Sequence, residues 1–353
     1  MSLLLAAGTP HLPQVIGGVE INTHETALEL NRRGHETKVL SKLSPRDWFG
    51  ASRWLANTVR RKEVSVDSDL GYEVYRSRRP WAELDGMPMP KIAVVQNGNM
   101  IEIGKAFARR GVPSVAYLHG LEFDIGKRRW SDDRADLPFS DYIAVSSYTA
   151  RRFEARFGIL PHVIPPIFRP ERYRAAGERR YVTFINPVPE KGVDLALAIA
   201  ALTPDIPFRF VKGWPLKPKE LMRLKARVGA LPNVGLVERS RDMLPIYGTT
   251  RVLLVPSQWD AETWGRVASE AQFSGVPVMA SDRGGLPEAV GPGGIILAPD
   301  APAEVWAEEL RRLWNDPGHY AALSEAALAH SRRPELDLDH QLEALLAVVG
   351  RVA

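Results

Sequence analysis

Three glutamates and a glycine pair near the C-terminal end of the chain could bind a sugar phosphate. Glu262 and Glu270 stand eight residues apart around the predicted start of a helix. Gly284 and Gly285 then open a second predicted helix, which carries Glu288. Carboxylates accept hydrogen bonds from sugar hydroxyls, and exposed helix N-termini attract phosphate oxygens. This stretch therefore predicts a nucleotide-sugar site.

A second glycine pair lies near the N-terminus. Gly17 and Gly18 follow the first predicted strand and open the first predicted helix. Glycine allows close approach of the backbone, and the free N–H groups of the helix attract an anion. The same pair is as common in plain tight turns as in phosphate loops, and the G-x-G-x-x-G fingerprint of dinucleotide binding is absent.

A histidine and a lysine end two other predicted strands. His119 precedes Gly120 at the tip of a strand. A solitary histidine is more often a structural hydrogen-bonding residue, but a position facing an interdomain cleft favours ligand contact. Lys191 lies in the turn 186–192, beside a glycine and a helix start. It suits a diphosphate, and the alternative is an ordinary surface lysine.

Length and composition indicate a globular protein of two domains. The chain has 353 residues, of which 45% are hydrophobic and 25% charged. It has no cysteine, which excludes disulfides, thiolate metal sites and cysteine nucleophiles. Residues 1–7 are apolar but too short for a signal sequence, and no run reaches the ~18 apolar residues of a membrane span. We therefore expect a first strand here and a cytoplasmic location.

The net charge of +4 is modest, and basic residues gather in three places. These clusters are Arg60, Arg61 and Lys62; Arg76, Arg78 and Arg79; and Lys127, Arg128 and Arg129. Solvated surface is the simpler interpretation, and a patch for an anionic acceptor or a membrane face is the alternative. Nucleic-acid binding is not predicted, because no reading motif accompanies the basic residues.

Residues 45–64 do not fit a plain strand–helix repeat. The segment contains Trp48, Phe49, Trp54, Leu55 and Val59, which fall near helical spacing among basic residues. Such an amphipathic helix usually packs on its own domain. The alternative is peripheral contact with a membrane or with an acceptor.

Elsewhere, short apolar strands alternate with helical patterns, which predicts parallel sheets with helices on both faces. The expected strands are 3–7, 37–40, 72–75, 92–95, 114–118, 142–145, 181–185, 208–211, 234–236, 252–255 and 278–280. The expected helices include 17–33, 303–314, 320–331 and 339–349. Closely spaced prolines in 162–170 suit an interdomain hinge. We expect an N-terminal acceptor domain at 1–165, a nucleotide-sugar domain at 166–335, and a helix at 336–353 returning to the first domain.

Two aspartate pairs match the D-x-D pattern of metal-dependent sugar transfer. They are Asp67-Ser68-Asp69 and Asp337-Leu338-Asp339. The first precedes a predicted strand, and the second lies beside the last helix, so neither joins the loops described above. The sequence also has no Gly-x-Ser-x-Gly elbow and no H-E-x-x-H zinc motif. We therefore expect no metal site.

These segments, taken in order, resemble the family-4 retaining glycosyltransferases of the GT-B fold (glycosyl transferases group 1). The E-x7-E motif of that family is matched by ETWGRVASE, which runs from Glu262 to Glu270. Other segments similar to the family are GGVEINTHETALELNRRGHETKVL, DYIAVSSYTARRF, HVIPPIFRPERY, NPVPEKGVD and LPNVGLVERSRDMLPIYGTTRVLLVPS. The resemblance covers nearly the whole chain. It implies an α/β protein of two Rossmann-like β/α/β domains facing each other across a cleft.

The resemblance implies a role for each candidate residue. His119 would contact the donor sugar near the reacting carbon, and Glu262 would hold the hydroxyls of that sugar, which makes these two the catalytic candidates. Lys191 would bind the diphosphate, and Glu270 the ribose. The donor-binding candidates together are Gly17, Gly18, Lys191, Gly265, Glu270 and Glu288.

The chain also departs from the family pattern. Where the family usually has Gly-Arg, this chain has Asn186-Pro187, so the usual phosphate-binding arginine is missing. Lys212 could supply its charge. Trp264 stands where phenylalanine is common, and its backbone would line the sugar and phosphate pocket. These departures bear on the identity of the donor more than on the activity.

The implied reaction moves a sugar from a UDP- or GDP-sugar to an acceptor hydroxyl, with retention at the anomeric carbon. The expected setting is bacterial glycan, glycolipid or natural-product biosynthesis. Lys191 and helix N-termini would stabilise the leaving diphosphate, without a metal or other cofactor. Acceptor contacts are expected in 45–90 and 120–135. The alternatives are a nucleotide-sugar epimerase of the same fold and a non-catalytic nucleotide-sugar-binding partner.

Overall fold

The fold is taken from a computed structural model that describes residues 1–124, 130, 133–238, 240 and 242–353. The chain forms two compact units. The first comprises residues 1–168 together with 337–353, and the second comprises residues 169–336. The basic cluster 127–129 and part of the expected acceptor segment 120–135 lie outside the described residues.

The first unit is built on an eight-stranded sheet in the order β3-β4-β2-β1-β5-β6-β7-β8. Its strands are β1 (Ser2–Ala6), β2 (Glu36–Lys42), β3 (Val64–Asp67), β4 (Val74–Ser77), β5 (Ile92–Val95), β6 (Ser114–Leu118), β7 (Asp141–Ala144) and β8 (His162–Val163). All neighbours pair in parallel except β3 and β4. Near-continuous burial of β1, β4, β5 and β6 is what a parallel sheet covered on both faces requires.

The helices of the first unit are α1 (Gly18–Arg32), α2 (Trp48–Val59), α3 (Met100–Ala108), α4 (Ser147–Phe157) and, from the far end of the chain, α12 (Leu338–Val352). Short polar side chains cap several of them. Asp47 accepts from the Gly50 N–H at the start of α2, and Ser146 accepts from the Thr149 N–H at the start of α4. These capping side chains explain why α2 and α4 begin where they do.

The proline-rich segment after β8 is anchored to the first unit. The Tyr117 hydroxyl donates to the Ile164 carbonyl at 2.9 Å, and the Gln341 amide of α12 donates to the carbonyls of Pro165 and Pro166 at 3.0 Å. The Ile167 N–H donates to Asn22 of α1 at 2.6 Å. Most of the segment predicted as a hinge is therefore held within this unit by hydrogen bonds.

The second unit is built on a six-stranded, fully parallel sheet in the order β11-β10-β9-β12-β13-β14. Its strands are β9 (Tyr181–Ile185), β10 (Phe208–Val211), β11 (Val234–Val237), β12 (Thr250–Val255), β13 (Val278–Ser281) and β14 (Gly294–Leu297). Its helices are α5 (Val193–Leu202), α6 (Pro218–Gly229), α7 (Leu244–Thr249), α8 (Arg266–Gln272), α9 (Leu286–Val290), α10 (Ala303–Asn315) and α11 (Pro317–Ser331). Trp306 and Phe210 lie in its core.

The predicted α/β class is confirmed, with three strands that the sequence did not predict: β3, β8 and β14. β3 is an antiparallel edge strand, and β8 has only two residues, so neither gives an apolar run of useful length. The strand expected at 72–75 begins instead at Val74. Tyr72 lies in the preceding turn, where its hydroxyl is hydrogen-bonded to His11 and His24 at 2.8 Å. Over the described residues, no helix is both long and apolar enough to span a bilayer.

Candidate functional site

Polar side chains gather where the sheet of the second unit changes direction. From β9 the chain proceeds to β10 on one side, whereas β12 pairs with the other side of β9. The carboxyl ends of two such strands diverge into crossovers on opposite faces and leave a crevice that commonly binds ligands. The loop after β9 carries Lys191, and the loop after β12 carries Glu262. The sequence predicted both residues separately, and the sheet order brings them together.

Lys191 and Glu262 form an ion pair at this switch point. The Lys191 ammonium lies 2.5 Å from Oε2 of Glu262, and the Ser257 hydroxyl donates to the same oxygen at 2.9 Å. The Glu262 side chain is 6% exposed and that of Lys191 is 17% exposed. A nearly buried carboxylate therefore faces a cation whose side chain keeps some solvent exposure.

Two tryptophans surround the same ammonium group. Its nitrogen lies 4.6 Å from the ring centroid of Trp259 and 5.6 Å from that of Trp214. The two indoles meet edge to face with centroids 5.6 Å apart. A cation is attracted to the faces of aromatic rings, so the pair holds Lys191 in place without neutralising its charge. Neither tryptophan was predicted from the sequence as a site residue.

The backbone fixes the two loops against each other. The Gln258 N–H donates to the Glu190 carbonyl at 3.0 Å. Gly192 has φ of +82°, and a Cβ there would stand 1.9 Å from the Pro256 carbonyl oxygen. Only glycine tolerates both the left-handed conformation and this approach. Lys191 is consequently held at a defined distance from the β12 loop.

Asn186 occupies the position where the family has glycine, and its backbone explains the exchange. Its φ is +66°, a left-handed conformation that asparagine adopts more readily than other side-chain-bearing residues. Its amide oxygen accepts the backbone N–H of Trp214 at 2.8 Å, so the residue supports the loop that carries this tryptophan. Lys212, the second cation considered, pairs instead with Glu238 at 2.5 Å.

Glu270 lies in a separate buried network on α8. The Tyr247 hydroxyl donates to one carboxylate oxygen at 2.7 Å, and Arg266 donates to the other at 3.3 Å. Arg266 also donates to the Tyr173 hydroxyl at 3.2 Å. Burial, reinforced by the adjacent carboxylate, raises the pKa of Tyr247 well above its usual range, so this phenol remains a donor. The predicted contact of Glu270 with ribose would have to be added to these bonds.

Gly265 and Trp264 shape the loop between Glu262 and α8. Gly265 has φ of +83°, and a Cβ there would stand 2.4 Å from Leu286. The Trp264 indole is buried and donates to Ser269 at 3.1 Å, so this residue offers the loop its backbone rather than its ring. Glu288 lies in the first turn of the short helix α9, and its carbonyl oxygen is 3.3 Å from His330 Nε2.

In the first unit, the corresponding switch point lies between β1 and β5. Gln96 follows β5, and His119 follows the adjacent strand β6. The Gln96 amide nitrogen donates to the Thr23 hydroxyl at 2.6 Å, because that hydroxyl itself donates to the Val19 carbonyl at 2.8 Å. The amide oxygen of Gln96 therefore faces Nε2 of His119 at 3.0 Å. Since that oxygen only accepts, Nε2 carries a hydrogen. Gln96 thus keeps a hydrogen on Nε2 of His119.

A buried glutamate closes the predicted glycine loop. Gly17 is the residue before α1 and Gly18 the first residue within it. Glu20, one turn in, folds back so that its Oε2 lies 2.6 Å from the place of a Cβ on Gly17. Burial raises the pKa of Glu20 to about 7, and hydrogen bonds from the backbone N–H groups of Glu20 and Gly17 oppose the shift. A carboxyl group thus occupies the helix terminus that was expected to receive an anion.

The two D-x-D pairs are committed to structural contacts. Asp67 at the end of β3 accepts from the buried Arg76 at 2.6 Å. Asp337 caps α12 by accepting the His340 N–H at 2.9 Å, and Asp339 pairs with Arg33. In the part of the chain that the structure describes, no cluster of three or more His, Asp or Glu side chains could hold a metal ion.

Several residues around the predicted set were not found from the sequence: Trp214, Trp259, Ser257, Gln96 and Glu20. A usable signal existed for the tryptophans, since aromatic residues in loops at strand ends often cover a ligand or a cation. Gln96 also follows a predicted strand, one position after Val95. The contacts themselves depend on which strands are neighbours, and this the sequence does not state.

Comparison with known families supports the assignment of both units. The family profile "Glycosyl transferases group 1" matches residues 169–330, and the profile "Glycosyltransferase Family 4" matches residues 16–172. Together they cover residues 16–330, which include Gln96, His119, Lys191 and Glu262. The match to the first profile contains the ion pair and the E-x7-E segment.

Two curated relatives are D-inositol 3-phosphate glycosyltransferases. The chain is 35% identical to that of Mycolicibacterium vanbaalenii over 192 residues, which are 49% of this chain and 41% of that protein. It is 30% identical to that of Acidothermus cellulolyticus over 292 residues, which are 70% of this chain and 64% of that protein. The alignments thus span less than two thirds of either relative.

Solved structures share the fold at low sequence identity. The crystal structure of Anabaena HepE in complex with UDP-glucose has a TM-score of 0.75 and 17% identity, and the match covers 99% of this chain and 100% of that one. AviGT4, a glycosyltransferase involved in avilamycin A biosynthesis, has a TM-score of 0.61 and 17% identity, covering 100% and 98%. With two Rossmann-like units and both profiles matched in order, the chain belongs to the group 1, family-4 glycosyltransferases of the GT-B fold.

Proposed function

We propose that this protein transfers a sugar from a nucleoside diphosphate sugar to an acceptor hydroxyl, with retention at the anomeric carbon and without a metal ion. The observation that carries the proposal is the Lys191 ammonium. It is held by Glu262, Trp214 and Trp259 at the switch point of the second sheet. A fixed and partly reachable cation at this place suits a diphosphate.

The ion pair suggests how donor binding and catalysis are linked. Lys191 and Glu262 are each other's charged partner. A diphosphate that approaches Lys191 competes for the ammonium and leaves Glu262 with acceptor capacity for sugar hydroxyls. As the bond to the leaving phosphate breaks, negative charge grows on the diphosphate, and Lys191 stabilises it.

Retention follows if the acceptor attacks from the face that the diphosphate leaves, with the departing phosphate taking the acceptor proton. No protein base is then required. His119, whose Nε2 hydrogen is donated to Gln96, would contact and orient the sugar. Glu262 would bind sugar hydroxyls, and Glu270 would add a ribose contact to its bonds with Tyr247 and Arg266.

The comparisons suggest which substrates to try first. Anabaena HepE was crystallised with UDP-glucose, which makes UDP-sugars the first donors, and GDP-sugars follow. The curated relatives are named for D-inositol 3-phosphate, so phosphorylated polyols join lipid and glycan acceptors in the screen. A place in bacterial glycan, glycolipid or natural-product biosynthesis is consistent with these names.

A thermal-shift screen of UDP-, GDP-, dTDP- and ADP-sugars tests the proposal, because a ligand that binds the folded state raises the melting temperature. The donor that raises it most is then incubated with acceptor candidates, and the product anomer is read by NMR. A product with inverted configuration would contradict retention. Isomerised donor without acceptor would instead show an epimerase, and binding without turnover a non-catalytic partner.

A further inference from the structure

Helix α2 presents an apolar stripe to solvent. Trp48, Leu55 and Val59 are 86%, 65% and 75% exposed. Their spacing of seven and four residues places them within about 40° of the helix circumference. Single exposed apolar side chains are ordinary, but three large ones aligned along one helix indicate a contact surface.

The opposite face of α2 is fixed to the first unit, so the stripe is not a core face turned outward by chance. Phe49 packs against the guanidinium groups of Arg53 and Arg76 at 3.6 and 4.9 Å from its ring centroid. Gly50 is buried beneath the Ser44 carbonyl, which leaves no room for a Cβ. The helix is therefore rigidly mounted with Trp48, Leu55 and Val59 directed away from its packing face.

Positive charge flanks the stripe at both ends. Arg46 precedes the helix, and the exposed residues Arg60, Arg61 and Lys62 follow it. Between positions 46 and 62 there are five basic residues and one acidic residue. That acid is Asp47, whose carboxylate is taken up by the Gly50 N–H and by the Gln14 amide.

We propose that α2 binds the surface of an anionic lipid bilayer, with Trp48, Leu55 and Val59 inserted at the headgroup boundary and the flanking cations on lipid phosphates. An interfacial helix of this kind joins an apolar face to basic residues, and tryptophan favours the membrane interface. Each cation near an anionic surface adds about fivefold to the affinity.

The size of the stripe argues against a second copy of the chain or a protein partner. Three side chains of this kind offer at most about 500 Å², whereas a stable protein interface buries about 800 Å² on each partner. A bilayer has no such requirement, because shallow insertion and diffuse charge attraction suffice for reversible binding.

Co-sedimentation of the full chain with vesicles tests the proposal. One set of vesicles contains phosphatidylcholine alone, and the other contains equal parts of phosphatidylcholine and phosphatidylglycerol. We expect binding to the anionic set at least tenfold stronger than to the neutral set, and weakened by salt because the charge attraction is screened. Equal binding to both sets, or no binding to either, would overturn the proposal.

Matched variants test whether vesicle binding depends on the α2 stripe or on exposed apolar side chains in general. The triple variant Trp48→Ser, Leu55→Ser, Val59→Ser should bind anionic vesicles at least tenfold more weakly. The control Leu160→Ser, Met222→Ser changes side chains that are 62% and 66% exposed elsewhere, and it should bind like the unaltered chain. An equal loss of vesicle binding in both variants would show that α2 is not the membrane-binding surface.

A charge-matched pair tests the flanking cations. Arg60→Gln, Arg61→Gln, Lys62→Gln should weaken binding at least tenfold, whereas Lys219→Gln, Arg223→Gln, Lys225→Gln on α6 should not. Quenching of Trp48 by brominated lipid, lost in Trp48→Phe, would place the helix in the bilayer. If light scattering instead showed a dimer that the serine variant abolishes, without vesicle binding, a second copy would be the partner and the proposal would fail.

Discussion

The switch points of the two units carry different kinds of polar group, although both lie at the carboxyl ends of parallel strands. In the first unit they are the neutral Gln96, which contacts His119 of the neighbouring loop, and, on the helix that follows β1, the protonatable Glu20. In the second they are a full ion pair, Lys191 and Glu262.

Two glutamates make the contrast plain. Glu20 and Glu262 are almost equally buried, at 6% and 5% exposure. Burial raises the pKa of Glu20 to about 7 against the opposing hydrogen bonds from backbone N–H groups. Glu262, by contrast, has an ammonium group at 2.5 Å and a hydroxyl donor beside it, so two carboxylates of similar exposure differ in whether a cation contacts them. We infer that charge stabilisation belongs to the second unit and hydrogen-bond positioning to the first.

The largest expected effect comes from removing the cation. Lys191→Ala should lower kcat about hundredfold, since loss of a single group that stabilises developing charge commonly costs that much. Glu262→Ala should lower turnover at least tenfold. Initial rates with saturating donor measure both, and Lys219→Ala, which removes an exposed lysine from α6, is the control. Near-normal rates in Lys191→Ala would remove the basis for assigning charge stabilisation to the second unit.

A smaller, distinct loss of turnover is expected from changes at His119 and Gln96 in the first unit. His119→Ala should lower turnover at least tenfold with the fold intact, and Gln96→Leu should cost less, because the ring remains but its Nε2 loses this hydrogen-bond acceptor. His340→Ala, at the exposed start of α12, is the control. If Gln96→Leu were as damaging as His119→Ala, the hydrogen bond itself would be the essential feature.

The two sites also show which features of the fold and of the site could be predicted from the sequence and which could not. Strands such as β9 and β10 were predicted to the residue, because short buried runs bounded by turns are local signals. His119, Lys191 and Glu262 were identified because each follows such a run. Their partners were not, since Gln96 and Trp214 reach them only through the order of strands in a sheet. Strand order depends on contacts between distant residues, which local patterns do not encode.

The raised pKa of Glu20 and the edge strand β3 could not be predicted from the sequence, for related reasons. The raised pKa of Glu20 arises from burial beneath the rest of the first unit, and in the sequence it is only an acid in a helix first turn, where acids are common. β3 pairs with β4 in an antiparallel arrangement held by Arg76 and Asp67, an ion pair that connects two elements rather than one. The sequence offered no means of finding the arginine that pairs with Asp67.

A moderate effect is expected from the tryptophans around Lys191. Cation–π contacts contribute about 0.5 to 2 kcal/mol, so Trp259→Leu should raise the donor KM about threefold to tenfold, and Trp214→Leu somewhat less because its ring is farther away. Trp48→Leu, measured without lipid, controls for loss of an indole. An unchanged donor KM in both variants would show that Glu262 alone positions the lysine.

Glu20→Gln tests the other half of the contrast through stability. Because the folded-state pKa is raised, the neutral carboxyl is favourable below the unfolded value of about 4.5, and this advantage is lost as pH rises through about 7. The glutamine variant carries no such dependence. Relative to the unaltered chain, it should gain up to about 3 kcal/mol of stability between pH 4.5 and pH 8. Urea unfolding at both pH values measures this. A gain at the lower pH instead would mean that Glu20 is ionised when folded.

The smallest effect, no change at all, is expected from removing metal ions. In the proposed reaction, Lys191 supplies the positive charge that a divalent cation would bring to the diphosphate. The aspartates that imitate a metal motif are occupied, Asp67 by Arg76 and Asp339 by Arg33. Turnover in excess chelator should therefore stay within about twofold of the untreated rate, and Lys191→Ala should gain nothing from added magnesium. Complete loss with chelator, reversed by manganese or magnesium, would transfer the electrostatic role from Lys191 to an ion and make the two switch points less different than their side chains suggest.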